Sequence, residues 1–151
     1  MKILMVCLGN ICRSPLAEGI LKAKIKARGL NWEVDSAGTG GWHAGEQPDP
    51  RSIQTARRHG IDITDQGARK LRPDDLKNFD LILAMDESNR SDILRLAGSE
   101  AQQRKVEMIM NFLNPLSDQD VPDPYWDDNG FEAVFQMLDG ACEALIEKYQ
   151  I

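Results

Sequence analysis

Ile3-Leu4-Met5-Val6-Cys7-Leu8-Gly9-Asn10-Ile11-Cys12-Arg13-Ser14-Pro15 is the stretch that decides the reading of this chain. Residues 3–6 form a continuous apolar run, the pattern of a strand buried on both faces. Ser14-Pro15 reads as a helix start, with serine at the N-cap and proline at the first helical position. Between them lies a tight loop with two cysteines, a glycine, an asparagine and an arginine. Strand, loop and helix in succession predict the first unit of an α/β fold.

The rest of the chain repeats that alternation. Leu16, Ile20, Ala23 and Ala27 share one face of the first helix, and Gly29 stops it. Residues 32–34 read as a short second strand, and residues 36–48 as a Gly-rich loop. Asp49-Pro50 opens a helix that ends at Gly60. A short helix follows Pro73. Residues 81–85 give a third strand, residues 86–96 a helix and residues 106–110 a fourth strand. A polar loop covers residues 114–129. The last helix carries Phe131, Val134, Phe135, Leu138, Cys142, Leu145 and Ile146 on one stripe. The expectation is a single three-layer domain over residues 1–151, with a four-stranded parallel sheet, right-handed crossovers and helices on both faces. Ligands of such folds bind beyond the carboxyl ends of the strands, where residues 7–14 lie as a phosphate-binding loop after the first strand.

Composition narrows the class. The chain has 151 residues, 42% hydrophobic and 28% charged, which suits one globular domain and excludes collagen, low-complexity disorder and disulfide scaffolds. The net charge of −6 is unevenly spread. Residues 1–105 hold 17 of the 18 Lys+Arg and 14 of the 24 Asp+Glu, a balance of +3, whereas residues 106–151 stand at −9. A nucleic-acid partner is not expected, because duplex binding needs a dense basic face. The asymmetry suggests an anion site in the first part facing an acidic group from the last. No apolar run is long enough to insert in a membrane, and the first residues do not form a signal peptide. An odd number of cysteines (Cys7, Cys12, Cys142) without such a signal points to reduced thiols in a cytoplasm.

Residues 7–14 place a cysteine, five residues, an arginine and a hydroxyl between a strand and a helix. Such a loop turns successive N–H groups inward as an anion nest. Gly9 and Asn10 tolerate the positive φ that a nest needs. The Arg13 guanidinium can hold two oxygens of one phosphate. The same donors favour the thiolate of a cysteine at a helix N-terminus, and Ser14 can donate to it. The product is a sulfur nucleophile beneath a phosphoryl group, with no metal required. His43 and His59 are too few and too separated for a metal site. The plainer reading makes Cys7 a small core residue at a strand end and Arg13 a loop cap. A bare match of this spacing is common; its placement between a buried strand and a Ser-Pro helix start favours the functional reading.

These residues, with Asp123-Pro124-Tyr125 far downstream, resemble the low-molecular-weight protein tyrosine phosphatases. Asp35-Ser36-Ala37-Gly38, Pro48-Asp49-Pro50-Arg51, His59-Gly60-Ile61 and Ala84-Met85-Asp86-Glu87-Ser88-Asn89 extend the likeness over nearly the whole chain. The resemblance implies hydrolysis of phosphotyrosine proteins, peptides and small aryl phosphates through a phosphocysteine on Cys7. It implies phosphate binding by Leu8, Gly9, Asn10, Ile11, Cys12, Arg13 and Ser14, with Asp123 as general acid and base. It also implies inhibition by inorganic phosphate and other oxyanions, contact of Asn10 with Ser36, and no cofactor. On composition alone Asp118, Asp120, Asp127 and Asp128 compete with Asp123; the Asp-Pro-Tyr match singles it out.

Trp42, Tyr125 and Trp126, with Ile11, resemble the walls of a cleft for a flat aryl group, though loop aromatics that cover core are the alternative for Trp42. Cys12 is either a redox partner that closes a disulfide with Cys7 or a packing residue. Cys142 belongs to the core. Gln66 stands where many family members have a histidine, and Trp126 where glycine or tyrosine is common. The resemblance leaves the oligomeric state open.

Two relatives of the same fold compete. Thioredoxin-coupled arsenate reductases need two further cysteines after the third strand, and residues 80–105 contain none. Protein arginine phosphatases carry threonine at the position of Ile11. An apolar residue there suits an aryl ester and leaves a phosphoguanidinium nitrogen unpaired.

Overall fold

The computed structural model describes residues 1–150. The strands are β1 (Lys2–Cys7), β2 (Glu33–Gly38), β3 (Leu81–Ala84) and β4 (Val106–Met108). The helices are α1 (Arg13–Arg28), α2 (Pro50–Arg58), α3 (Asp75–Asn78), α4 (Glu87–Leu96), α5 (Glu100–Gln103) and α6 (Phe131–Tyr149). The sheet is parallel throughout, in the order β2-β1-β3-β4. Alternate residues of β1 feed two separate cores. Ile3 and Met5 join α1 and the α6 stripe, whereas Leu4 and Val6 join Leu76 of α3 and Ile93 of α4. That two-sided burial is the expected three-layer α/β architecture, and it explains why β1 carries no polar residue after Lys2. All seven residues of the predicted α6 stripe are buried.

Five local expectations change. Helix α1 begins at Arg13, and Ser14 does not cap it; the N-cap position is Cys12, with no side-chain hydrogen bond. The Ser14 hydroxyl is instead committed to Cys7 and Asn10. The inner face of α1 is Leu16, Ala17, Ile20, Leu21 and Ile25, while Ala23 and Ala27 are exposed. Alanine is indifferent to burial, so the larger residues orient the helix. Strand β2 runs on to Gly38 instead of stopping at Val34, because Asp35 and Ser36 find polar partners within the fold. Strand β4 ends at Met108, and its apolar run continues into a 3₁₀ turn, Ile109–Phe112, of which Ile109 and Met110 are buried. Helix α5 is not among the expected elements: none of its residues is buried, so it has no apolar stripe, and its one signal is the N-cap Ser99, which accepts from Gln102 N–H.

Gly38 has a steric reason to be glycine. A Cβ there would lie 2.8 Å from the Leu8 carbonyl oxygen and 2.9 Å from that of Gly40. The end of β2 therefore passes directly against the loop after β1. Gly19 has a different one: its Cβ would lie 2.5 Å from Ile63 Cγ2 and 3.1 Å from Ile61 Cγ2. Gly19→Ala gains up to about 1 kcal/mol of helix propensity, but overpacking a filled site costs about 1–3 kcal/mol. The expected result is a destabilised protein by urea unfolding. A stabilised one would show that the contact with Ile63 relaxes freely.

Candidate active site

The loop from Cys7 to Arg13 lies at the carboxyl end of β1, as a doubly covered parallel sheet requires. Asn10 has φ 57°, the left-handed conformation expected there, and is 2% exposed, whereas Gly9 does not take a positive φ. Its Oδ1 accepts from the backbone N–H of Arg69 at 3.0 Å. Both Nδ2 protons therefore face two serines, Ser14 at 2.8 Å and Ser36 at 2.9 Å. Ser14 Oγ lies 3.0 Å from Cys7 Sγ. With a lone pair engaged by Asn10, the hydroxyl keeps its proton for the sulfur. Gln66 takes no part in this support; its Nε2 donates to the Pro15 carbonyl.

Arg13 comes from the first turn of α1 and is 2% exposed. Its Nη1 donates to Asp86 Oδ2 at 2.7 Å and to the Val121 carbonyl at 2.8 Å. Burial works against the guanidinium charge, but Cys7, Asp86 and Asp123 outweigh it and raise the arginine's affinity for its proton. Asp86 is held from its other side as N-cap of α4, accepting from Asn89 N–H at 2.7 Å. One carboxylate thus positions the helix and the arginine together.

The same contacts place the acidic loop. Val121 N–H donates to the Met85 carbonyl at 2.8 Å, fastening residues 121–126 to the end of β3. Asp123 caps the short turn Pro124–Trp126 through Oδ1. Its Oδ2 stands 3.9 Å from Arg13 Nη2. None of Asp118, Asp120, Asp127 or Asp128 lines the cavity. Asp118 pairs with Arg90, Asp120 accepts from Glu87 N–H, Asp127 accepts from Asn129 N–H, and Asp128 pairs with Arg51.

Cys7, Arg13 and Asp123 line one cavity of about 290 Å³. Leu8, Gly9, Ile11 and Cys12 complete its floor, and Trp42, Tyr125 and Trp126 stand around it. The side chains of Asn10 and Ser14 lie beneath the floor and do not line it. Trp42 is 72% and Trp126 88% exposed, so neither covers core. Tyr125 meets Trp126 edge to face at 4.8 Å, and the Arg51 guanidinium lies 5.5 Å from the Tyr125 ring centre. His43 also lines the cavity, paired with Glu46 at 2.6 Å. Its sequence signal was adjacency to Trp42 alone. His59 is remote, stacked on Phe135 at 3.9 Å and bonded to Glu132.

All three cysteines are free. Burial, with Asp49 and Cys7 nearby, pushes the Cys12 thiol up to about 12. Burial does the same for Cys142, whose thiol also rises to about 12 on the inner face of α6. Both are thiols at neutral pH. No helix among the described residues is long and apolar enough to cross a membrane.

Residues 2–150 match the family model of the low molecular weight phosphotyrosine protein phosphatases. The low molecular weight phosphotyrosine protein phosphatase of Sus scrofa is 39% identical over 150 residues, 97% of this chain and 94% of that protein. The crystal structure of a protein tyrosine phosphatase from Entamoeba histolytica, with Hepes in its active site, superposes with a TM-score of 0.91 at 40% identity, over 98% of this chain and 96% of that one. A drosophila arginine phosphatase superposes with a TM-score of 0.93 at 34% identity, over 100% and 99% of the two chains.

Proposed function

The chain belongs to the low molecular weight phosphotyrosine protein phosphatase family, and from that premise we propose how its residues divide the hydrolysis of phosphotyrosine. The observation that carries the reading is the convergence of Cys7, Arg13 and Asp123 on one aromatic-rimmed cavity. The phosphate rests on the inward N–H groups of residues 8–14, with Arg13 beside it. The Cys7 sulfur attacks phosphorus in line. The S–P bond forms as the bond to the phenolic oxygen breaks, and Asp123 gives that oxygen its proton. Asp123, now a carboxylate, takes a proton from water. The resulting attack breaks the S–P bond and releases inorganic phosphate. Guanidinium and amides meet the charge on the transferring group, so the chemistry needs no metal.

Ile11, Trp42, Tyr125 and Trp126 form the cleft for the aryl ring, and inorganic phosphate and other oxyanions compete for its floor. After oxidation of Cys7 to a sulfenic acid by a peroxide, attack by the Cys12 sulfur expels water and leaves a disulfide. Three unpaired cysteines suit a reducing cytoplasm.

The fold likeness to an arginine phosphatase favours one second reading. Ile11 opposes it, since its side chain offers no acceptor to a phosphoguanidinium. The test is kcat/KM for phosphotyrosine and phosphoarginine peptides in excess chelator. Phosphotyrosine is expected to be preferred by at least about tenfold. A preference for phosphoarginine would overturn the substrate assignment, and loss of all turnover in chelator the metal-free mechanism.

A further inference from the structure

The hydrogen bonds beneath Cys7 end at a residue that phosphoryl transfer never touches. Glu18, one turn of α1 beyond Ser14, is 3% exposed. Its Oε1 accepts from Ser36 Oγ at 2.6 Å, and its Oε2 pairs with Lys22 Nζ at 2.5 Å. Asn10 Nδ2 can only donate, so the Ser36 oxygen accepts from it and the Ser36 hydroxyl proton goes to Glu18. Asn10 passes its other proton to Ser14, and Ser14 faces the sulfur. The direction of each donor in the chain is consistent with one buried acceptor at its far end.

Resting on the phosphatase reading above, we propose that Glu18 is a positioning residue for this reaction. Its carboxylate holds the Ser36 hydroxyl as an acceptor toward Asn10, and through Asn10 and Ser14 it sets the hydrogen bond that supports Cys7. The charged groups facing Glu18 are Lys22 from its own helix and Asp35 from β2, the latter held by Arg69 at 3.1 Å. Burial pushes the Glu18 carboxyl up, and the bonds from Lys22 and Ser36 oppose that rise. Packing alone does not call for a charge here, since a buried ion pair often adds nothing over an apolar side chain. The serine and asparagine give the carboxylate a use.

The experiment compares Glu18→Leu, Glu18→Gln, Ser36→Ala and the Glu18→Leu/Ser36→Ala double variant. The pH profile of kcat/KM for a phosphotyrosine peptide is measured, corrected for the substrate's own ionisation, with thermal melts alongside. Glu18→Leu is expected to lower kcat/KM about tenfold and to move the acid limb up by roughly one pH unit. Glu18→Gln keeps an amide oxygen for Ser36 and recovers most of both losses. The double variant should match Ser36→Ala alone, because both changes act through one hydroxyl. Charge repulsion at a distance predicts the opposite sign, since removing a negative charge favours an anionic sulfur. An acid limb that stays or falls in Glu18→Leu overturns the proposal, as does an additive double variant. If Glu18→Leu does not fold, an unmoved acid limb in Ser36→Ala overturns it instead. Wild-type chain without phosphotyrosine turnover would refute the phosphatase reading itself. An active wild type with an indifferent Glu18→Leu refutes only the role of Glu18.

Discussion

Cys7→Ser is expected to abolish turnover of phosphotyrosine while the protein still folds and still binds phosphate. The loss should be on the order of 10⁵-fold or more, the scale seen when a covalent nucleophile is removed. A serine hydroxyl attacks only if a base takes its proton. The side-chain partner of the Cys7 sulfur is Ser14, itself bonded to Asn10, and neither group is a base. The substitution shrinks one buried atom at the end of β1 and leaves the loop amides and Arg13 in place. The melting temperature should move by a few degrees at most. Inorganic phosphate, titrated calorimetrically, should bind within a few-fold of wild type. The inactive variant should then hold phosphotyrosine proteins long enough to capture them from cells. Turnover within a hundredfold of wild type would remove Cys7 from the reaction.

The part of this site that could be read in the sequence is the part built by local signals. The apolar run of β1, the left-handed Asn10 and the start of α1 at Arg13 lie within the first fifteen residues, and each follows from its own chemistry. The α6 stripe was equally legible, because seven large apolar residues at helical spacing admit one arrangement. What escaped reading depends on partners far along the chain. Ser14 looked like a helix cap because a serine before a proline usually is one. Its hydroxyl is drawn off by Cys7 and Asn10, a competition visible only in three dimensions. Asp35 and Ser36 argued against a strand until Arg69, Glu18 and Asn10 supplied their partners. Glu18 has no local signal, because its partner Ser36 lies 18 residues away in sequence.

The charge asymmetry has the same explanation. Four of the ten acids of residues 106–151 pair with surface cations of the first part: Lys24 pairs with Asp139 and Glu143, Arg28 with Glu143, Arg51 with Asp128, and Arg90 with Asp118. Part of the −9 segment is thus paired internally, by surface pairs worth about 0–1 kcal/mol each. Asp123 differs because its counter-ion is Arg13, a buried group that must also face the ligand. The apolar stripe of α6 docks the last part of the chain, and the pair of Arg13 with Asp123 ties the acidic loop to the cavity.

That ion pair makes Arg13→Lys the sharpest probe of phosphate recognition. The substitution keeps the charge and removes the planar fork. In the native site Nη1 is occupied by Asp86 and the Val121 carbonyl. The remaining edge of the guanidinium, with Nη2 toward Asp123, is free to meet two phosphate oxygens. A lysine has a single nitrogen, which must divide between Asp86 and the ligand. Asp86 still caps α4 through its other oxygen, so the helix should stay in place. The expected outcome is a fall in kcat of roughly 10³–10⁴-fold, within the range of arginines that meet a transferring phosphoryl group. KM should change far less, because the fork matters most when charge spreads over the equatorial oxygens. Arg13→Ala should also lose about 1–3 kcal/mol of stability, since it leaves Asp86 and the Val121 carbonyl without their donor. If Arg13→Lys keeps kcat within tenfold, one cation suffices in this cavity. The loop amides, and not the guanidinium fork, would then carry the transition state.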